Sequence, residues 1–278
     1  MLDSIADVVA QLPDDGELLV VDQSAGSELE STRAAVQALA DPRVRHMAIT
    51  PPGLPNARNV GAAHTTGDLL LYLDDDVRLH AGCIAAHVAA FADPRIGGCV
   101  GRIVERVVVP NSSGTANRLA FGGRIVMNLS GTEPARVQTL AGGNMCLRRQ
   151  ALLAAGGFDR NYLGTAFLED ADLSTRVRRC GWDLCFEPQA ALDHLSAPAG
   201  GVRVGGQQTV ERWRFHNTGY FVRRHRGRRS LPAMVATFSA IAVKRAIEWR
   251  DPSAPAMLLA ALHEGWARAA GPADTSWD

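Results

Sequence analysis

The sequence predicts an α/β fold in which a mostly parallel sheet carries helices on both faces. Two strands point to it. Leu18 to Val21 is short, apolar and ends at Asp22, and Leu69 to Leu73 ends abruptly at Asp74-Asp75-Asp76. Apolar runs of this length bounded by acids fit strands covered on both faces, as in parallel sheets. The third observation is alternation: segments of ten or more residues with helical periodicity lie between the strands, as crossover connections require.

The elements follow in order. Leu2, Ile5, Val8, Val9 and Leu12 share one helical face, and Asp14-Asp15-Gly16 ends that helix. Residues 27–40 read as a helix, 44–49 as a strand and 55–66 as a helix closed by Gly67. After the acidic strand come a helix from His80 to Phe91 and a strand from Gly98 to Val104. Residues 105–140, rich in Gly, Asn and Ser, read as loops with short strands. Order resumes at Ala141 to Arg149, then a helix from 150 runs to Gly156-Gly157-Phe158-Asp159. Phe167 to Leu173 opens a helix in which Leu173, Val177 and Cys180 share a face and Gly181 supplies the stop. Ala190 to His194 reads as a short strand leading into a loop.

Composition sets bounds. The 278 residues, 46% hydrophobic and 21% charged, suit one large α/β domain or a domain with an appendage. With 29 basic and 29 acidic residues the net charge is zero, so bulk electrostatics gives no reason to expect a nucleic-acid partner. The charge is uneven: from Arg203 to Arg250 there are eleven Lys or Arg against two acids, Glu211 and Glu248. Five cysteines, odd in number and without a Cys-x-x-Cys pair, read as reduced core residues of a cytoplasmic protein. With no leader-like stretch and no apolar run of about 18 residues, nothing is expected to cross a bilayer. The sequons at Asn111 and Asn128 then carry no weight.

Three adjacent carboxylates at a strand end repel one another, so a positive partner is expected there. A hard divalent cation held by one or two carboxylates plus substrate phosphates supplies it; a solvated acidic turn is the alternative. Asp22 can accept a hydrogen bond from a pyrimidine ring N–H, or serve as a cap or turn residue. Arg58 sits early in a helix, suited to a nucleotide's base or phosphates, or else to the surface.

The ordered set of these features resembles an inverting family-2 glycosyltransferase of the GT-A, Rossmann-like fold. Val20-Val21-Asp22, Ala57-Arg58-Asn59-x-Gly61 and Leu73-Asp74-Asp75-Asp76 resemble its nucleotide half. Gly142-Gly143-Asn144-Met145 with Arg148-Arg149, Gly156-Gly157-Phe158-Asp159, Glu169-Asp170-x-Asp172-Leu173 and Pro188 with His194 resemble its acceptor half. The resemblance covers residues 2–225 and divides residues 1–222 at about 104/105 into the two halves. It implies that Asp22, Arg58, Asp74 and Asp75 bind the nucleotide, with Asp74 at the ribose and Asp75 supporting. Asp76 holds a metal bridging the diphosphate. His194 joins the metal or the diphosphate, with Asp193 as substitute; a true histidine ligand favours Mn²⁺ over Mg²⁺.

Attack by a sugar hydroxyl needs a base, and Asp170, at a helix N-terminus that favours the ionised carboxylate, is assigned that role. Glu169 would bind acceptor hydroxyls and Asp172 would cap the helix; otherwise all three are ordinary helix N-terminal acids. Gly143 and Asn144 fit a loop passing close to donor sugar or acceptor, or a plain tight turn. Trp213 is assigned to stack on an acceptor sugar, although Gln208-x-x-x-Arg212-Trp213 is one residue too long for the Gln-x-x-Arg-Trp element of processive synthases.

The implied partners are a nucleoside-diphosphate sugar of UDP or dTDP type and a hydroxyl acceptor, glycan or lipid-linked, in cell-envelope or exopolysaccharide assembly. Donor choice would rest on loops 105–140 and 160–168. Family members usually begin with a buried strand before the first helix. Here the sequence starts at that helix: either the start was assigned too late, or a central strand and part of the base site are lost. A sheet lacking one strand at the nucleotide crevice, with weak donor binding, is expected. Residues 223–278 read as a basic, apolar helical tail, either packed on the domain or lying at the inner face of the plasma membrane against anionic lipid. Among rival readings, a sugar nucleotidyltransferase needs a Gly-rich, Arg-containing loop that is missing. A haloacid-dehalogenase-like phosphatase needs Thr or Val where Arg78 stands. A degenerate, non-catalytic scaffold subunit is the remaining rival.

Overall fold

A computed structural model describes residues 2–105, 118–119, 125–126, 128–195 and 206–277. The chain starts with α1 (Leu2–Gln11), β1 (Leu18–Asp22), α2 (Ser27–Ala38), β2 (Val44–Ala48) and α3 (Leu54–Ala63). Ile5 of α1 packs with Val36 and Val44, whereas Val8 joins the central core. Pro55 lies in the first turn of α3, where its missing N–H costs nothing. Then come β3 (Leu69–Leu73), β4 (Val77–Leu79), α4 (Cys83–Ala90) and β5 (Ile96–Glu105). Short strands β6 (Arg118–Leu119), β7 (Ile125–Val126) and β8 (Ala135–Arg136) precede β9 (Asn144–Arg148), α5 (Arg149–Ala155), α6 (Glu169–Arg179) and β10 (Asp183–His194). The C-terminal helices are α7 (Gly206–His225), α8 (Leu231–Trp249) and α9 (Ala254–Arg268).

The α/β class is as expected, but strand direction is mixed rather than mostly parallel. The larger sheet runs β3-β9-β5-β10-β4, with β8 also on β10. Only β5 and β10 are parallel within it; β9 enters antiparallel between β3 and β5, and β4 returns antiparallel along β10. A fully covered strand shows the same unbroken apolar run in either direction, so the sequence did not encode it. The strand read at Ala190 to His194 is the end of a longer β10 whose register shifts between Glu187 and Ala191. Pro188, which has no N–H to give, sits in that irregularity.

β1 and β2 form their own parallel pair, Leu18 beside Val44 through Asp22 beside Ala48. β3 is the outer strand of the larger sheet, so among the described residues the sheet is interrupted between β1 and β3.

Two cores meet at α6. Its Leu173 and Val177 join Leu70, Val100, Met145 and Leu184 in the central core. Leu168 and Ala171, at its start, join Phe215, Tyr220, Phe238 and Leu262 in a helical core. α7 and α9 touch through glycines: a β-carbon at Gly219 would clash with Leu262 O, and one at Gly265 with His216 O. The boundary read at 222/223 falls inside α7. The last residues return to the main domain, where Asn59 Nδ2 donates to Ser276 O (3.1 Å) and Asp274 N to Asp159 Oδ1 (2.9 Å).

One helix is longer and more apolar than the sequence reading allowed for. With the 3-10 turn Arg228–Ser230 that leads into α8, the span Arg228–Trp249, of mean hydropathy 1.3 and with 17% of its most apolar stretch buried, is long and apolar enough to cross a membrane by length and composition alone. Counting only the unbroken apolar run stopped short at Lys244, whereas the helix continues to Trp249.

Candidate active site

The acidic turn after β3 is anchored from below. Ser4 Oγ of α1 lies 2.7 Å from the carbonyl oxygens of both Asp75 and Val77, with one proton to give to either, and accepts from Val77 N (3.2 Å). Leu195 N donates to Asp76 O (2.8 Å). The antiparallel pairing of β4 with β10 puts His194 opposite Val77, next to this turn. His194 Nε2 is therefore 3.1 Å from Asp76 Oδ1 and 3.9 Å from Asp74 Oδ2. One donor atom from each of the three residues lies within 4.8 Å of the other two, a spacing one metal ion can span. Two carboxylates and an imidazole fit a divalent cation, and the nitrogen suits Mn²⁺ better than Mg²⁺. Asp75 is exposed and takes no part in this cluster. Asp193 pairs with His80 at 2.9 Å, as strand alternation requires for the residue before His194.

Burial raises the Asp74 carboxyl above its ordinary pKa against the pull of Arg58 and His194. Arg58 is itself buried, and burial lowers its pKa against the opposing fields of Asp74 and Asp170. Its Nη1 donates to Glu169 Oε1, while Glu169 Oε2 has no hydrogen-bond partner. Glu169, read from the sequence as an acceptor-hydroxyl contact, is thus a buried partner of Arg58. Asp170 Oδ2 accepts from Gly142 N (3.2 Å) and Oδ1 from Ala171 N (2.7 Å). Burial raises the Asp170 pKa, against Arg58 and these backbone donors. Leu168, just before Glu169, holds φ of 75°, a left-handed conformation uncommon for a bulky residue and frequent where sites store strain.

The glycine loop fits tightly around these groups. A β-carbon at Gly142 would clash with Arg58 Nη2, and one at Gly143 would lie 2.6 Å from Asp74 Oδ2. Gly142 and Gly143 thereby connect the base candidate to the acidic turn. Asn144 does not face the cleft. Fully buried, it donates through Nδ2 to Ala190 O (2.8 Å) and Arg102 O (3.1 Å), and its Oδ1 lies 2.8 Å from His87 Nε2. The sugar contact read for Asn144 gives way to a tie between β9, β5, β10 and α4.

Asp22 is buried at the end of β1, its Oδ2 3.0 Å from His46 Nε2 and its Oδ1 accepting from Ser24 N (2.8 Å). Burial opposes its ionisation, but these hydrogen bonds win and its pKa is lowered. Trp213 is half-buried and lies across the loop before α6, where a β-carbon at Gly164 would clash with its indole. Asp172, read as a cap, instead bonds His225 Nε2 (2.6 Å) and Arg176 Nη2 (2.6 Å), joining α6 to α7. Part of the loop read as governing donor choice, 106–117, 120–124 and 127, lies outside the described residues. A groove lined by Arg33, Gln37, Asp41 and His46, between α2 and β2, holds none of the site's acids.

Sequence reading missed His46, His87 and His225. The only available signal concerned His46: once β1 and β2 pair in parallel, it shares a strand face with Ala48, the partner of Asp22.

The family model described as glycosyl transferase family 2 matches residues 1–153. A pre-mycofactocin glycosyltransferase of Mycobacterium tuberculosis, in strains CDC 1551 / Oshkosh and ATCC 25618 / H37Rv, is 30% identical over 181 residues, 64% of this chain. The chain spans 37% of the length of those relatives. A crystal structure of GalNAc-T7 with UDP, GalNAc and Mn²⁺ gives a TM-score of 0.59 at 20% identity, covering 80% of this chain and 47% of that one. The mannosyltransferase PcManGT from Pyrobaculum calidifontis, in complex with GDP-Man and Mn²⁺, gives 0.56 at 19% identity, covering 98% and 72%. At these identities the two structures share the fold with this chain.

Proposed function

Because the chain belongs to glycosyl transferase family 2, we propose that it moves a sugar, with inversion, from a nucleoside diphosphate of UDP or dTDP type to a hydroxyl on a glycan or lipid-linked acceptor. The observation that carries this reading is the convergence of Asp74, Asp76 and His194 on one metal-sized space. A divalent cation there would neutralise charge on the departing diphosphate. Asp22 accepts the base N–H after leaving His46. Arg58, between Asp74 and Asp170, exchanges part of its pairing with Glu169 for the donor's anionic groups. Asp170 takes the acceptor proton as the new bond forms. Its raised pKa suits a base that must hold the proton until the acceptor leaves. Trp213 covers the acceptor side, and the setting is envelope or exopolysaccharide assembly at the cytoplasmic side of the membrane.

Calorimetry with UDP and Mn²⁺, followed by donor hydrolysis across a panel of nucleotide sugars, tests this. Expected are Mn²⁺-dependent binding, lost in Asp76→Asn, and hydrolysis of one or a few donors. The interrupted sheet between β1 and β3 favours a second reading, a binding subunit without turnover. UDP binding indifferent to Mn²⁺ and to Asp76→Asn, with no hydrolysis, would establish that one instead.

A further inference from the structure

α8 is held to the domain along one face. Met234, Phe238 and Ala242 are buried, Phe238 meets Phe215 edge-on at 4.9 Å, and Arg245 Nη2 donates to Glu211 Oε1 at 2.7 Å. These contacts fix the roll of the helix. Leu231, Val235, Val243 and Ile247 are then 36%, 44%, 54% and 74% exposed. Each four-residue step turns about 40° around the helix, so Leu231 lies about 160° from Ile247, on the side of Phe238 and Ala242. Val243 and Ile247 lie within about 40° of each other and head an outward stripe. Exposed Ala236 and Ala240 widen it.

Charge brackets the stripe. There is no acidic residue between Glu211 and Glu248. Arg226, Arg228 and Arg229 are exposed at the start of the helix, and Lys244 and Arg250 near its end, where Glu248 pairs with Lys244 and Arg245. Single exposed apolar residues are ordinary, but a continuous row is not. An apolar stripe with cationic ends matches helices that lie in the bilayer interface and favour anionic lipid. A second copy of the chain would set Arg228 and Arg229 against its own like end or against the Lys244 and Arg250 end, where the one acid, Glu248, is already paired with Lys244 and Arg245, which favours the bilayer.

We propose that the outer face of α8 docks on an anionic lipid surface, with Ala236, Ala240, Val243 and Ile247 among the acyl chains and Arg228 and Arg229 on headgroup phosphates. The inner face stays on the domain, so the helix lies flat in the interface. Docking stands independently of the transfer reading; combined with it, docking brings the site to lipid-linked acceptors.

Co-sedimentation of the full chain with phosphatidylcholine vesicles, with or without a minority of phosphatidylglycerol, tests this. Binding to the anionic vesicles only is expected. Val243→Asp with Ile247→Asp, and separately Arg228→Glu with Arg229→Glu, should each lower the partition coefficient about tenfold or more. All four side chains are exposed, so Tm and vesicle-free donor hydrolysis should match wild type; lost hydrolysis with retained docking would sink only the transfer reading. Wild-type recovery equal with and without vesicles, equal binding to neutral vesicles, or variants that partition like wild type would each overturn docking. So would light scattering that shows a dimer made monomeric by Ile247→Asp, since a second copy would then cover the face.

Discussion

Gly143 lies against Asp74 so closely that a β-carbon at 143 would sit 2.6 Å from Asp74 Oδ2. The larger neighbour is the end of a side chain, so the carboxylate gives way before the backbone does. Gly143→Ala should therefore leave the fold intact while turning Asp74 away from Asp76 and His194. Misplacement of a reacting group by an ångström can cost about 10²-fold. The expected result is a Tm within a few degrees of wild type and kcat/KM lower by that factor. An active Gly143→Ala protein would place Asp74 outside the donor site.

Arg58 and Glu169 form a buried ion pair that also lies in the field of Asp74 and Asp170. Removing one member of such a pair costs roughly 3–5 kcal/mol, because the other is left buried and uncompensated. Arg58→Met strands several carboxylates, whereas Glu169→Gln strands none, so the first should be the more destabilising. Added Mn²⁺ should restore part of the stability of Arg58→Met. Urea unfolding of the two single variants and the double variant measures this, and additive losses would show that the two residues do not act as a pair.

Asp170 carries a pKa raised by burial, so its contribution to stability is present at low pH and lost as pH rises through its folded value. At neutral pH the ionised group costs stability. Asp170→Asn should thus have a Tm at pH 7 equal to or above wild type, with the gap closing as pH falls. Transfer should drop about 10²–10⁴-fold, as for loss of a general base. A lower Tm together with retained transfer would remove Asp170 from the base role.

How much of this was legible beforehand differs by residue. Asp22 and Asp74 to Asp76 could be placed because an acid ending an apolar strand marks the carboxyl edge of a sheet, and the family order located His194. Strand direction could not be read, because Leu69 to Leu73 looks alike in a parallel or antiparallel neighbourhood. The pairing of Arg58 with Glu169 joins residues more than a hundred positions apart, and no local pattern encodes it. Asn144 misled for a related reason. A polar residue beside two glycines resembles a substrate loop until β5 and β10 are seen to supply its carbonyl partners.

Asn144→Ala separates those two meanings. It leaves the carbonyls of Arg102 and Ala190 and one nitrogen of His87 without a partner inside the sheet. Unsatisfied buried groups cost about 1–3 kcal/mol each. The variant should lose several degrees of Tm while its KM for donor changes little. Unchanged Tm with a KM raised tenfold would restore the sugar-contact reading.

The joint between α6 and α7 gives the last test. Burial works against the charge on Asp172, but Arg176 and His225 outweigh it, and the folded pKa is lowered. A depressed carboxylate contributes stability that is complete above its unfolded pKa, about 3.9, and is lost as pH falls through the folded value. Asp172→Asn should therefore lower Tm at neutral pH and by progressively less below about pH 4, so that the variant and wild-type curves converge in acid. Because Asp172 sits one turn inside the helix that carries Asp170, the neutral-pH loss should come with reduced transfer that His225→Ala reproduces in part. Parallel Tm curves down to the acid limit would mean that the Asp172 charge contributes nothing to the joint.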